Sequence, residues 1–82
     1  MSTETILRTF ILENYMFTDD ESELNNDDSF LDLGIIDSTG IMEVVLFIEE
    51  TFGLEVDDEE LLPENLDSIN NLVKFIASKQ KA

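Results

Sequence analysis

The sequence predicts an all-α fold: a small four-helix bundle of three longer helices and one short helix, with a long ordered loop between helices one and two. Three observations carry this expectation. Apolar residues recur at helical spacing in three separate segments, and no stretch alternates apolar and polar residues as a half-buried strand would. Residues 18–34, rich in Asp, Asn and Ser, divide the first of these segments from the second. A 43% apolar content over 82 residues suits a single core, read here as one domain over residues 1–82.

Residues 3–17 hold Ile6, Leu7, Phe10, Ile11 and Phe17 on one helical stripe, with Ser2 or Thr3 as its cap. The loop that follows is longer than an unpinned connection usually is, so Leu24, Phe30, Leu31 and Leu33 are expected to fasten it to the core. The strongest helix spans 38–52, where Ile41, Val44, Val45, Ile48 and Phe52 form one buried face and Gly53 supplies the stop. The segment V-D-D-E-E-L-L-P, 56–63, reads as a short helix capped by Asp57 or Asp58, with Pro63 shortly after its end. A last helix opens at Asp67 or Ser68 and presents Ile69, Leu72, Val73 and Ile76. Lys74, Lys79 and Lys81 gather toward its C-terminus, where they complement the helix dipole.

The charge balance narrows the function. Twenty acidic side chains stand against four basic ones, a net charge of −16. Nucleic-acid phosphates and anionic membrane faces are bound by Lys and Arg, so neither is an expected partner. A partner with a basic surface, found by electrostatic steering, is. The chain has no cysteine, which excludes disulfides and thiolate metal sites. Residues 1–17 do not read as a secretory leader, because Arg8, Thr9, Glu13 and Asn14 interrupt their apolar run. No apolar run reaches the roughly 20 residues that span a bilayer, so a cytoplasmic protein without membrane insertion is expected.

One short stretch, L-G-I-I-D-S-T-G at 33–40, places a serine just where the loop gives way to the strongest helix. A hydroxyl at Ser38 would meet unpaired backbone N–H groups and the positive end of the helix dipole, a setting that favours a phosphate. The plainer alternative makes Asp37 or Ser38 an N-cap. Catalysis by the chain's own side chains fails on inventory. A Ser-His-Asp triad needs a histidine and there is none. A nucleophile elbow needs glycine where Ile36 stands, and no lysine lies nearby to act as base. The protein is therefore not expected to be an enzyme. Neither acidic run has the glycine of a calcium-binding loop at its sixth place, so no metal is expected. Charge alone would also fit an acidic inhibitor that mimics nucleic acid.

Leu33-Gly34, Asp37-Ser38 and an apolar helix ending E-E-T-F-G-L-E-V resemble the acyl carrier protein family, whose attachment motif is Asp-Ser-Leu at the start of the second helix. The resemblance runs the length of the chain and is most specific from Gly34 to Val56. It implies one carrier domain in which Ser38 anchors 4′-phosphopantetheine, moved from coenzyme A by a phosphopantetheinyl transferase. The arm's thiol then carries cargo as a thioester, so the cofactor brings the reactive group and the protein presents it. The implied function is an acyl carrier for a fatty-acid, polyketide or related pathway, or alternatively an aminoacyl (D-alanyl-type) carrier. The implied partners, met by a monomer, are an acyl- or aminoacyl-loading ligase and downstream transferases or synthases with basic docking patches.

The docking surface implied by the family is the second helix: Asp37, Thr39, Met42, Glu43, Glu49 and Glu50, extended by Asp58, Glu59 and Glu60. Met42 and Leu46 could equally pack into the core. Two positions depart from the family's usual pattern. Thr39 replaces leucine, and Gly40 stands where an acidic residue is common, loosening the first helical turn on the surface that enzymes read. Together with G-I-I-D-S, these departures resemble free-standing carriers of dedicated pathways more than the housekeeping carrier.

Overall fold

The computed structural model describes residues 2–80. Four α-helices follow in order, α1 Thr3–Ile11, α2 Ser38–Phe52, α3 Pro63–Leu66 and α4 Ile69–Gln80, and no strand occurs among the described residues. Lys81, the last of the expected C-terminal lysines, lies outside the described residues. α1 packs on α4, and α3 leads directly into α4. Leu7, Ile11 and Leu12 from the first segment, Val44, Val45 and Ile48 from α2, and Ile69, Leu72, Phe75 and Ile76 from α4 make the core. Phe75 was not among the expected α4 residues; Val73, which was, is half-buried.

α1 starts as expected, with the Ser2 hydroxyl accepting from Thr5 N–H at 3.1 Å. It does not run to residue 17. After Ile11 the chain winds as a π-helix over Leu12–Met16, and Phe17 then turns left-handed at φ 54°. The wider winding rotates each residue less, so Phe17 leaves the stripe on which a regular helix would place it. Phe17 is 83% exposed and takes no part in the core, contrary to the periodicity.

The loop is pinned, though not by all the expected residues. Leu24 and Phe30 are buried, whereas Leu31 and Leu33 are exposed and Ile36 is buried in their stead. The reason is a tight turn. Leu33 N–H donates to Ser29 O and Gly34 N–H to Leu31 O, while Gly34 reverses the chain at φ +69°. The Phe30 carbonyl accepts from both Ile35 and Ile36 N–H, which folds Leu31–Gly34 outward around it. Polar clasps hold the rest of the loop. Arg8 donates through Nη1 to Asn26 Oδ1 and through Nη2 to the Glu21 carbonyl, both at 2.7 Å. Asp67 accepts from Leu31 N–H at 3.0 Å and from the Ser29 hydroxyl.

α2 has the expected bounds, with Gly53 left-handed at φ 65° as its stop. Val44, Val45 and Ile48 are buried, and Ile41 and Phe52 at the ends of the stripe are half-buried. The segment after it differs from the expectation. Asp58–Glu60 is a single 3₁₀ turn, held by Asp57 N–H donating to Glu60 Oε1 at 3.0 Å. Pro63 follows shortly after that turn, as expected, but it also opens a further helix, α3, at the first helical position, where its missing N–H costs nothing. Ser68, not Asp67, caps α4, its Oγ accepting from Asn71 N–H. Lys79 reaches Glu60 at 2.7 Å, and that hydrogen bond holds the Glu60 carboxyl below and the Lys79 ammonium above its ordinary range.

Candidate functional site

Asp37, not Ser38, is the N-cap of α2: its Oδ1 accepts from Gly40 N–H at 2.7 Å, and its carbonyl takes Ile41 N–H. The capping role and the hydroxyl are therefore separate. Ser38 is exposed, and its Oγ makes no hydrogen bond among the described residues. The N–H groups of Ser38 and Thr39 likewise have no partner among the described residues, so the donors at the helix's positive end are available to an anion.

Two hollows flank this serine. One, of about 250 Å³, is mainly apolar and is lined by Leu31, Ser38, Ile41, Met42, Leu61, Leu62, Pro63, Leu66 and Asp67. The other, more open, is lined by Tyr15, Gly34, Ile35, Ile36, Asp37, Thr39, Gly40 and Glu43. The first gives the exposed turn leucine a place: Leu31, turned outward around the Phe30 carbonyl, lines it together with Pro63 and Leu66 of α3.

Asp37, Thr39, Met42 and Glu43 line these two hollows beside Ser38. Met42 (47% exposed) and Leu46 (58%) are surface residues rather than core. Phe47 is half-buried, its ring stacked on Phe10 with centroids 3.9 Å apart. Glu50, Asp58 and Glu59 are exposed. Glu49 is half-buried, with Oε2 accepting from Val56 N–H at 3.0 Å, so one of its oxygens serves the fold. Glu60 is engaged with Lys79. Neither the 3₁₀ turn's Asp58 nor its Glu59 lines a hollow with Ser38.

Gly40 is not on the surface that enzymes would read; it is buried. A Cβ there would lie 2.6 Å from Ile36 Cγ2 and 3.3 Å from Tyr15 Cε1. Ile36 is 2% exposed and β-branched, so it cannot swing aside easily. Gly40→Ala should therefore destabilise the protein despite alanine's higher helix propensity. Overpacking costs about 1–3 kcal/mol against a propensity gain of up to about 1 kcal/mol. A urea melt of the variant showing a higher midpoint than the parent would refute this close packing.

Tyr15 is the site residue that sequence reasoning missed. Its hydroxyl donates to Glu43 Oε2 at 3.0 Å and lies 3.3 Å from the Gly40 carbonyl oxygen. Helical spacing from Ile11 marks Tyr15 as a half-buried packing residue, and no local signal says that its hydroxyl reaches α2.

The structure thus presents an unengaged hydroxyl at a helix N-terminus beside a mainly apolar hollow. The chain belongs to the family described as phosphopantetheine attachment site, which matches residues 7–76. It is similar along nearly its whole length to D-alanyl carrier proteins of Streptococcus pyogenes serotype M5 (strain Manfredo), serotype M49 (strain NZ131) and serotype M1. Each is 29% identical over 79 residues, covering 96% of this chain and 95% of the relative. The resemblance to carrier proteins is thereby confirmed: the chain is a carrier protein, and its cofactor is covalent 4′-phosphopantetheine. Among the described residues no helix is long and apolar enough to cross a membrane.

Proposed function

We propose that Ser38 is the residue to which 4′-phosphopantetheine is attached, and that the cargo carried on it is aminoacyl, of the D-alanyl type. The supporting observation for Ser38 is its exposed, unbonded hydroxyl at the N-terminus of α2, with the N-cap duty already met by Asp37. The residues there suit the group: a phosphodiester at that oxygen would meet the Ser38 and Thr39 N–H groups, and the hollow of about 250 Å³ offers the arm an apolar wall. When attached, the arm supplies a thiol for the cargo. The chain supplies presentation. No base hydrogen-bonds Ser38 among the described residues, so removal of its proton falls to the transferase. Asp37, Thr39, Met42, Glu43 and Glu50, with Leu46 and the outer oxygen of Glu49, form the face that partner enzymes with basic patches read, and Asp58 and Glu59 extend its acidic rim. Exposed charge pairs each contribute up to about 1 kcal/mol, which suits a carrier that must dock and leave.

The aminoacyl reading draws on the near-complete overlap with carriers named for D-alanine. An acyl cargo is the second reading, favoured by the apolar lining of the hollow beside Ser38. Mass spectrometry of the endogenous thioester on protein recovered from its native cell separates them. An alanyl adduct, released by hydroxylamine, is expected. A fatty-acyl or polyketide adduct would overturn the aminoacyl assignment.

A further inference from the structure

We propose that Tyr15 is a positioning residue for docking: its hydroxyl holds the Glu43 carboxylate beside Asp37 and Thr39, ready for a cationic side chain of the phosphopantetheinyl transferase. This rests on the reading of Glu43 as a docking residue and adds what places it.

The Tyr15 ring is itself held. It meets Phe10 edge-on, with centroids 5.8 Å apart at 67°, and Phe10 stacks on Phe47 of α2. On its other side, Tyr15 Cε1 abuts Gly40 closely enough that a Cβ there would sit 3.3 Å away. Glycine at position 40 thus lets the ring lie against the first turn of α2 and carry its hydroxyl to Glu43. The hydroxyl proton goes to the nearer and more strongly accepting partner, Glu43 Oε2 at 3.0 Å, rather than the Gly40 carbonyl at 3.3 Å. Burial first, and then the hydrogen bond to Glu43, push the Tyr15 phenol up to about 12, so it remains a donor throughout the neutral range.

The carboxylate so placed is short of positive charge. Neither Asp37 nor Glu43 has an ion-pair partner among the described residues, and no basic side chain lines the hollow they share. Arg8 is committed to Glu21 and Asn26, and Lys79 to Glu60. With Oε2 tied to Tyr15, Oε1 is left to accept from an incoming guanidinium or ammonium. A free glutamate would lose rotamer freedom on docking; one already ordered does not, and the gain appears in affinity.

The experiment measures kcat and KM for phosphopantetheinylation of the full chain by a broad-specificity transferase with coenzyme A. Four proteins are compared: the parent, Tyr15→Phe, Glu43→Ala and the double variant, with melting temperature recorded for each. Tyr15→Phe keeps the ring and removes only the hydroxyl. It should raise KM roughly three- to tenfold with kcat unchanged, and this effect should vanish in the Glu43→Ala background. A Tyr15→Phe effect of equal size in both backgrounds would show that the hydroxyl acts through the fold or the Gly40 carbonyl, overturning the proposal. If Glu43→Ala raises KM while Tyr15→Phe does not, the docking reading stands and the positioning role falls. If Glu43→Ala leaves KM unchanged, the docking reading fails and takes the positioning role with it.

Discussion

Ser38→Ala is expected to give a fully folded protein that accepts no phosphopantetheine. Most losses of function by substitution are ambiguous, because a variant that unfolds also fails. Here the structure separates the two. The N-cap of α2 is Asp37, whose Oδ1 accepts from Gly40 N–H, so removing the Ser38 hydroxyl deletes no cap. The hydroxyl makes no hydrogen bond among the described residues and the side chain is exposed, so no buried group is orphaned. Alanine is also compatible with a helical backbone, so the start of α2 is kept. The stability change should stay within about 0.5 kcal/mol, as for other surface substitutions without special contacts. Intact mass after incubation with coenzyme A and a transferase, alongside a thermal melt, reads both quantities. A parent protein gaining one phosphopantetheine and an unmodified, equally stable Ser38→Ala is the expected pair.

Phe30→Ala should have the largest effect on stability. Phe30 is fully buried although it belongs to the loop. Truncating such a phenylalanine costs about 3–5 kcal/mol. A domain of this size has about 0.05–0.15 kcal/mol of stability per residue, so that loss is a large share of the whole. The damage should also be directed at the site. Phe30 N–H donates to the Asp67 carbonyl at 2.8 Å, and its own carbonyl gathers Ile35 and Ile36 N–H. Those bonds place Leu31 in the wall of the hollow and Ile36 beneath Gly40. The urea midpoint should fall steeply for Phe30→Ala and hardly at all for Leu31→Ala, whose side chain is 42% exposed. Equal losses at the two positions would mean that the loop is not pinned through Phe30.

How much of this could be read from the residues depended on whether the deciding interaction was local. α2 was legible because its apolar period, its Asp start and its Gly53 stop all lie within the segment, and each gives the same bounds. The place of its serine, exposed at the first position of the helix, was legible from the same segment. The end of α1 was not legible. The π-winding over Leu12–Met16 carries no residue signal, and a phenylalanine at positive φ is not what a helix stop looks like. Pro63 was ambiguous in principle, since proline serves both after a helix end and at a helix start.

Leu31, Leu33 and Ile36 show the same limit from the other side. All are apolar and close in the chain, and only the turn around the Phe30 carbonyl decides which of them enter the core. Gly40 looked like a weakness in the helix while its neighbours were unknown. One of those neighbours, Tyr15, comes from 25 residues away; with it and the nearer Ile36 in place, a Cβ at position 40 would be crowded.

That one exposed oxygen of α2 is the tether is best tested by locating the group on the protein itself. The modified parent chain would be digested, and the fragment bearing phosphopantetheine sequenced by tandem mass spectrometry. The pendant mass should fall on Ser38, with Thr39 and Ser29 bare. A group found on any other residue, or a fully modified protein whose Ser38 fragment is unaltered, would contradict the account.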